Sequence, residues 1–182
     1  MGKIKNLRAN LSGIIRSQMF KAVLKIFIIA IIAASLLLNI FTHVTPVVKY
    51  YGSAMSPSIS SGQILLLSKT QKVKQGDIIA FYYNNKILVR RVVATGGQQV
   101  NIDIFGNVSV NGTVLDEPYL EAKSIGQNSV ELPYDVPAHS VFVLGDNRAA
   151  SMDSRLKEIG AIAEDRIIGR VLCSVIPPKA VK

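Results

Sequence analysis

DIIAFYY, Asp77–Tyr83, and KILVRRVVAT, Lys86–Thr95, stand two residues apart in a chain of 182. Both runs are dense in β-branched and aromatic residues, and the Asn84-Asn85 pair between them has turn chemistry, so the stretch predicts adjacent strands. QILLLSK (63–69), SVFVL (140–144) and RIIGRVLCSVI (166–176) have the same character. After Tyr50 no stretch keeps a long helical period, which predicts a mainly β fold. NIDIFGNVSVNGTVLDE, from residue 101, predicts a two-turn meander, with Phe105-Gly106-Asn107 at one bend and Asn111-Gly112 at the next, a pair that favours a tight hairpin turn. The following residues, to about Ser140, carry Pro118, Pro133 and Pro137 and few strand signals. The expected organisation is a β core from 45–98 and 138–182, with 99–137 inserted as a small β/loop cap.

Charge is concentrated ahead of this core. The formal net charge is +9, and Lys3, Lys5, Arg8, Arg16, Lys21 and Lys25 precede the apolar run IFIIAIIAASLLLNIF, Ile26–Phe41. A basic tail over 1–25 and a membrane anchor over 26–44 follow, since about 20 apolar residues cross a bilayer and Lys and Arg are retained on the cytoplasmic side. The expected topology is a single pass in the cell membrane with a cytoplasmic N-terminus and an extracellular C-terminal domain. NIFTHVTP offers no small-x-small cleavage site, which favours a retained anchor over a removed leader. The nearly neutral remainder argues against a nucleic-acid-binding face. The lone cysteine, Cys173, lies in an alternating strand and reads as a small buried thiol.

Two loops concentrate small and polar residues. GSAMSPSIS, Gly52–Ser60, follows the apolar segment closely, and GDNRAASMDSR, Gly145–Arg155, follows the strand SVFVL. The second loop packs two Asp, two Arg, an Asn and two Ser into eleven positions, enough to knit itself by charged hydrogen bonds. A solvated turn would have the same composition. A cation site using Asp146, Asn147 and Asp153 is a weak reading, because Arg148 and Arg155 compete for the same carboxylates.

Taken together, four segments in order resemble the type I signal peptidase family, membrane-anchored Ser/Lys endopeptidases that remove signal peptides from exported proteins. GSAMSPSI is similar to its Ser-Met-x-Pro loop, QGDIIAF to its Gly-Asp-Ile-Val-x-Phe strand, VRRVVATGGQQV to its Lys-Arg-Val strand and turn, and GDNRAASMDSR to its Gly-Asp-Asn-Arg-x-x-Ser-x-Asp-Ser-Arg loop. The short insert and single anchor resemble the Gram-positive branch. The turn departs from the family, with Gly96 in place of Pro and Gln98 in place of Asp.

The resemblance implies that the nucleophile position is Ala54 and the general-base position is Arg90, followed in register by Arg91. Alanine has no heteroatom to attack a carbonyl, and a guanidinium stays protonated and only donates. Ser53 and Ser56 flank the first position, but one residue along an extended chain turns a side chain to the opposite face, and two residues move it about 6–7 Å. Lys86 is roughly 13 Å before Arg90 along a strand. A solvated pair on an edge strand is the plain alternative for the arginines, Arg91 above all. Gly52, Met55 and Pro57 fit the loop spacing. Ser151 matches the serine that in the family bonds the catalytic Lys, and Asp153 with Arg155 the pair that braces the site. The resemblance also implies an extended groove bordered by Ser53 and by Asp77, Ile78 and Ile79, taking a peptide as an added strand.

The expected function is therefore a non-catalytic, membrane-anchored factor that binds exported proteins, resembling the inactive signal-peptidase-like proteins linked to surface pilus assembly. A pilin precursor, with a sortase, is the implied partner. The alternative is an active signal peptidase with an unorthodox nucleophile. No metal or cofactor is called for.

Overall fold

The computed structural model describes residues 18–37, 39, 45–70 and 72–180. It divides into two compact units, 1–43 and 44–182. In the first, helix α1 spans Gln18–Leu37 and is long and apolar enough to cross a membrane. It takes in Lys21 and Lys25, which the charge pattern assigned to the tail; lysine is a good helix former, so a change of charge need not end a helix. The tail before residue 18 and the anchor's last residues, 40–44, lie outside the described residues.

The second unit is a mainly β domain. Its strands among the described residues are β1 (Val47–Lys49), β2 (Ile64–Ser68), β3 (Ile78–Tyr83), β4 (Lys86–Thr95), β5 (Gln99–Ile102), β6 (Val108–Val110), β7 (Thr113–Val114), β8 (Tyr134–Asp135), β9 (Ser140–Leu144), β10 (Ile162–Ala163), β11 (Ile167–Ile176) and β12 (Lys179–Ala180). The larger sheet runs β1-β2-β11-β3-β4-β9-β10, with β12 also on β11. The smaller runs β7-β6-β5-β8. All pairings are antiparallel.

The opening stretch is a hairpin, paired in full register from Ile78 with Arg91 to Tyr83 with Lys86. Its two loop residues, Asn84 and Asn85, have φ of 42° and 60°. Asparagine tolerates this left-handed region, and two such residues in a row match the twist of the strands they join. Asn111-Gly112 makes the corresponding turn between β6 and β7.

Packing explains why β9 is buried at every position. Val141 and Val143 face a cluster with Ile79, Phe81, Val92, Ile159, Ile162 and Ile167. Phe142 and Leu144 face the other way, into the cluster that joins the core to the small sheet through Val100, Ile102, Val108 and Val110. A strand covered on both faces has no polar side to alternate with. Cys173 is half-buried on β11.

Candidate functional site

The loop after β1 is nailed down by its apolar residues. Met55 and Ile59 are fully buried against Tyr50, Leu65 and Leu67. The Ile59 N–H donates to the Met55 carbonyl at 2.8 Å, and the Met55 N–H donates to the Tyr50 hydroxyl at 3.0 Å. Ala54, next to Met55, is buried, and its carbonyl accepts from the Asn147 N–H at 2.9 Å. Gly145 is required beside it: a Cβ there would overlap both the Ala54 carbonyl and the Ser151 side chain. Ser53 is exposed, Ser56 is half-buried and Pro57 is exposed.

Arg90 on β4 reaches the same place from the opposite side. Ala54 and Arg90 both line a cavity of about 440 Å³, whose walls are Tyr50–Ala54, Tyr83–Arg90 less Asn85, and Ala150 and Met152. Arg90 is 5% exposed. Its Nε donates to the Met152 carbonyl at 2.9 Å and a terminal nitrogen donates to the Val89 carbonyl at 2.6 Å. Burial pulls this guanidinium below its usual range, and the nearby Asp153 charge opposes the shift. The Ser151 hydroxyl is buried with no hydrogen-bond partner among the described residues. Chemically, the cavity floor presents a methyl group and a cation that donates.

Two unpaired strand edges flank this floor. β9 pairs with β4 only from Arg91 onward, so Lys86–Arg90 are bonded to β3 on one side alone. Among the described residues β1 ends the sheet order and pairs only with β2. A second cavity of about 530 Å³ lies between the edges, lined by Val47–Tyr51 and Lys86–Val89. A gap between two edges offers an extended peptide backbone partners on both sides.

The expected border at Asp77, Ile78 and Ile79 needs correction. None of the three lines either cavity. Ile78 and Ile79 are buried core residues, and β3 is flanked by β11 and β4, so its edges are already used. Asp77 accepts from the Lys74 N–H at 2.9 Å and pairs with Arg170 at 3.5 Å. Gly52 and Ser53 do line the cavity.

Around the site lie three buried arginine–carboxylate pairs. Asp153 accepts from Arg155 Nε and a terminal nitrogen, each at 2.8 Å, and from the Gly145 N–H at 3.0 Å. Arg91 grips Asp146 through two bonds of 2.9 and 2.7 Å and stacks on the Tyr119 ring, 3.9 Å from its centroid. The solvated reading of Arg91 therefore fails: it is 3% exposed, since a bidentate partner and a ring replace water. Arg148 pairs with Glu117, which also accepts from the Tyr119 hydroxyl at 2.6 Å. Burial, then Glu117, pushes the Tyr119 phenol above its usual range. These pairs occupy the carboxylates of the weak cation reading, and among the described residues no His, Cys, Asp and Glu cluster could hold a metal.

Glu117 and Tyr119 escaped the sequence reading. They sit in the proline-bearing segment, where local pattern carries no sign of a partner 31 residues on. An acidic residue two positions before a tyrosine in an otherwise strand-poor loop was the available signal.

The family described as "Signal peptidase, peptidase S26" matches residues 19–176. The chain belongs to this signal peptidase family. Signal peptidase I of Bacillus amyloliquefaciens is 34% identical over 155 residues, covering 78% of each chain. Signal peptidase I T of Bacillus subtilis (strain 168) is 36% identical over 131 residues, covering 65% of this chain and 67% of its own. A crystal structure of a signal peptidase I from Enterococcus faecalis V583 is also similar, at 28% identity and a TM-score of 0.47, over 54% of this chain and 96% of that one. Within the signal peptidase family, then, this member carries Ala54 and Arg90 at the floor of its cavity.

Proposed function

We propose that this protein is a membrane-anchored, non-catalytic signal peptidase homologue that binds an extended segment of an exported protein without cutting it. One observation carries the reading: Ala54 and Arg90, both buried residues, line one cavity, and neither supplies a nucleophile or a base. Ser53 is exposed while Ala54 is buried, so the neighbouring hydroxyl does not replace the missing one. Lys86 lines the cavity, but it is exposed, and the desolvation that lowers a lysine's pKa needs burial. The unpaired edges of β1 and β4 support binding by strand addition, which does not require the dyad. Helix α1 supports a single-pass anchor, with the basic N-terminus on the cytoplasmic side. A pilin precursor is the narrower client, and a sortase its expected companion.

The test is cleavage of a detergent-solubilised precursor carrying a signal peptide, with a pilin precursor in parallel. The natural chain is expected to leave both intact, and Ala54→Ser/Arg90→Lys to cut at one site. Site-specific cutting by the natural chain would overturn the reading in favour of an active peptidase.

A further inference from the structure

Four arginines in the described residues are buried: Arg90, Arg91, Arg148 and Arg155. Three have a buried carboxylate against them, Asp146, Glu117 and Asp153 in turn. Arg90 has none. Its two hydrogen bonds go to neutral carbonyls and use two of its five N–H groups. Asp153 lies near, but its two oxygens are taken by Arg155 and by the Gly145 N–H. A buried charge without a counter-ion is costly, and the cost falls away when an anion arrives.

The surroundings are built for such an arrival. No Asp or Glu lines either cavity, while Lys86 and Arg90 line one and Lys49 and Lys86 the other. Arg90 also stands at a fixed place along the groove. The free edge of β4 ends there, because Leu144 of β9 occupies the partner position of Arg91. Beyond Leu144 the chain turns away, and its Asn147 N–H bonds to Ala54. A strand added along Lys86–Arg90 therefore runs out of backbone partners at the guanidinium.

We propose that Arg90 receives the C-terminal carboxylate of a peptide lying in the groove, running in the same direction as β4. The ligand class is a chain end, and the small side of Ala54 leaves room for the two carboxylate oxygens where a hydroxyl would otherwise stand. This rests on the groove reading given above and narrows it: the client is held by a free terminus, not by a bond in mid-chain. Arg90 supplies a charge-assisted fork, for which a planar carboxylate is the matching partner.

The test uses the full chain in detergent micelles and a fluorescently labelled decapeptide of alternating apolar and small residues ending Ala-Ser-Ala. Four forms are compared: the free acid, the C-terminal amide, the amide with Glu as its last residue, and the sequence continued by six residues. The acid is expected to bind at least tenfold more tightly than the other three, and Arg90→Gln to bring the acid down to the amide's affinity. The acid–amide comparison on the natural chain stands even if that variant folds poorly. Equal, measurable affinities for acid and amide would overturn the carboxylate reading and leave the groove standing. Tight binding of the Glu-terminated amide would overturn the chain-end assignment, and an acid preference surviving Arg90→Gln would overturn Arg90. Binding of none of the four would overturn the groove itself.

Discussion

Arg90 and Arg91 are chain neighbours on one strand, and both are buried, yet their surroundings are opposite. Successive side chains on a strand point to opposite faces. Arg91 meets a carboxylate, a serine hydroxyl and an aromatic ring. Arg90 meets two carbonyls and a cavity. The comparison separates two uses of one residue type. On one face a guanidinium is a fastener whose partners come with the fold; on the other it is an unmatched charge placed beside open space. The arginines that brace the site are thus each matched by a carboxylate, while the one that lines the cavity is not.

The hardest blow to that comparison is to remove one member of each kind. Arg155→Met leaves Asp153 as an uncompensated buried charge and is expected to cost about 3–5 kcal/mol in a guanidinium chloride titration. Arg90→Met, in the same experiment, should change stability by about 1 kcal/mol or less, because no buried partner is orphaned as an ion. Equal losses at the two positions would erase the distinction.

Tyr119 sharpens the bracing side. Tyr119→Phe removes the bond to Glu117 and is expected to cost about 1 kcal/mol at neutral pH. It should also change the alkaline limb. With its phenol pushed above the usual 10.0 in the folded protein, the unfolded chain releases that proton first. The contribution is whole below about pH 10 and is lost as pH rises above it. The natural chain should therefore lose stability in that range faster than the Phe variant, as read by midpoint against pH.

The smallest expected effect is at Ser151. Its buried hydroxyl has no partner among the described residues, so Ser151→Ala should lie within about 0.5 kcal/mol of the natural chain, or stabilise it slightly. A loss of 2 kcal/mol would mean that the hydroxyl has a partner after all.

Much of the architecture was written locally. The β-branched runs and the Asn-Asn and Asn-Gly turns fix a mainly β fold because strand character and turn chemistry act within a few residues. The helix begins ahead of the apolar run, at Gln18, since lysines continue a helix readily. The groove border was harder. DIIAF reads as a strand, but nothing in its letters says that both its edges are covered, and that is what removes Asp77, Ile78 and Ile79 from the wall. The resemblance singled out Ala54 and Arg90 by register with neighbouring motifs; their meeting at one cavity is a property of the folded domain. Glu117 was illegible for the same reason, its partner being remote in sequence.

The Arg90 bond to Met152 spans 62 residues, the Arg91 grip on Asp146 spans 55, and that of Arg148 on Glu117 spans 31. Contacts this distant are expensive to close and form after local hairpins. The floor of the groove is stitched from the loop after β1, the middle of β4 and the loop after β9, so no fragment of the domain contains it. Maturation of the fold thus acts as a timer: the cavity does not exist until the loop after β9 has closed onto the loop after β1 and the middle of β4.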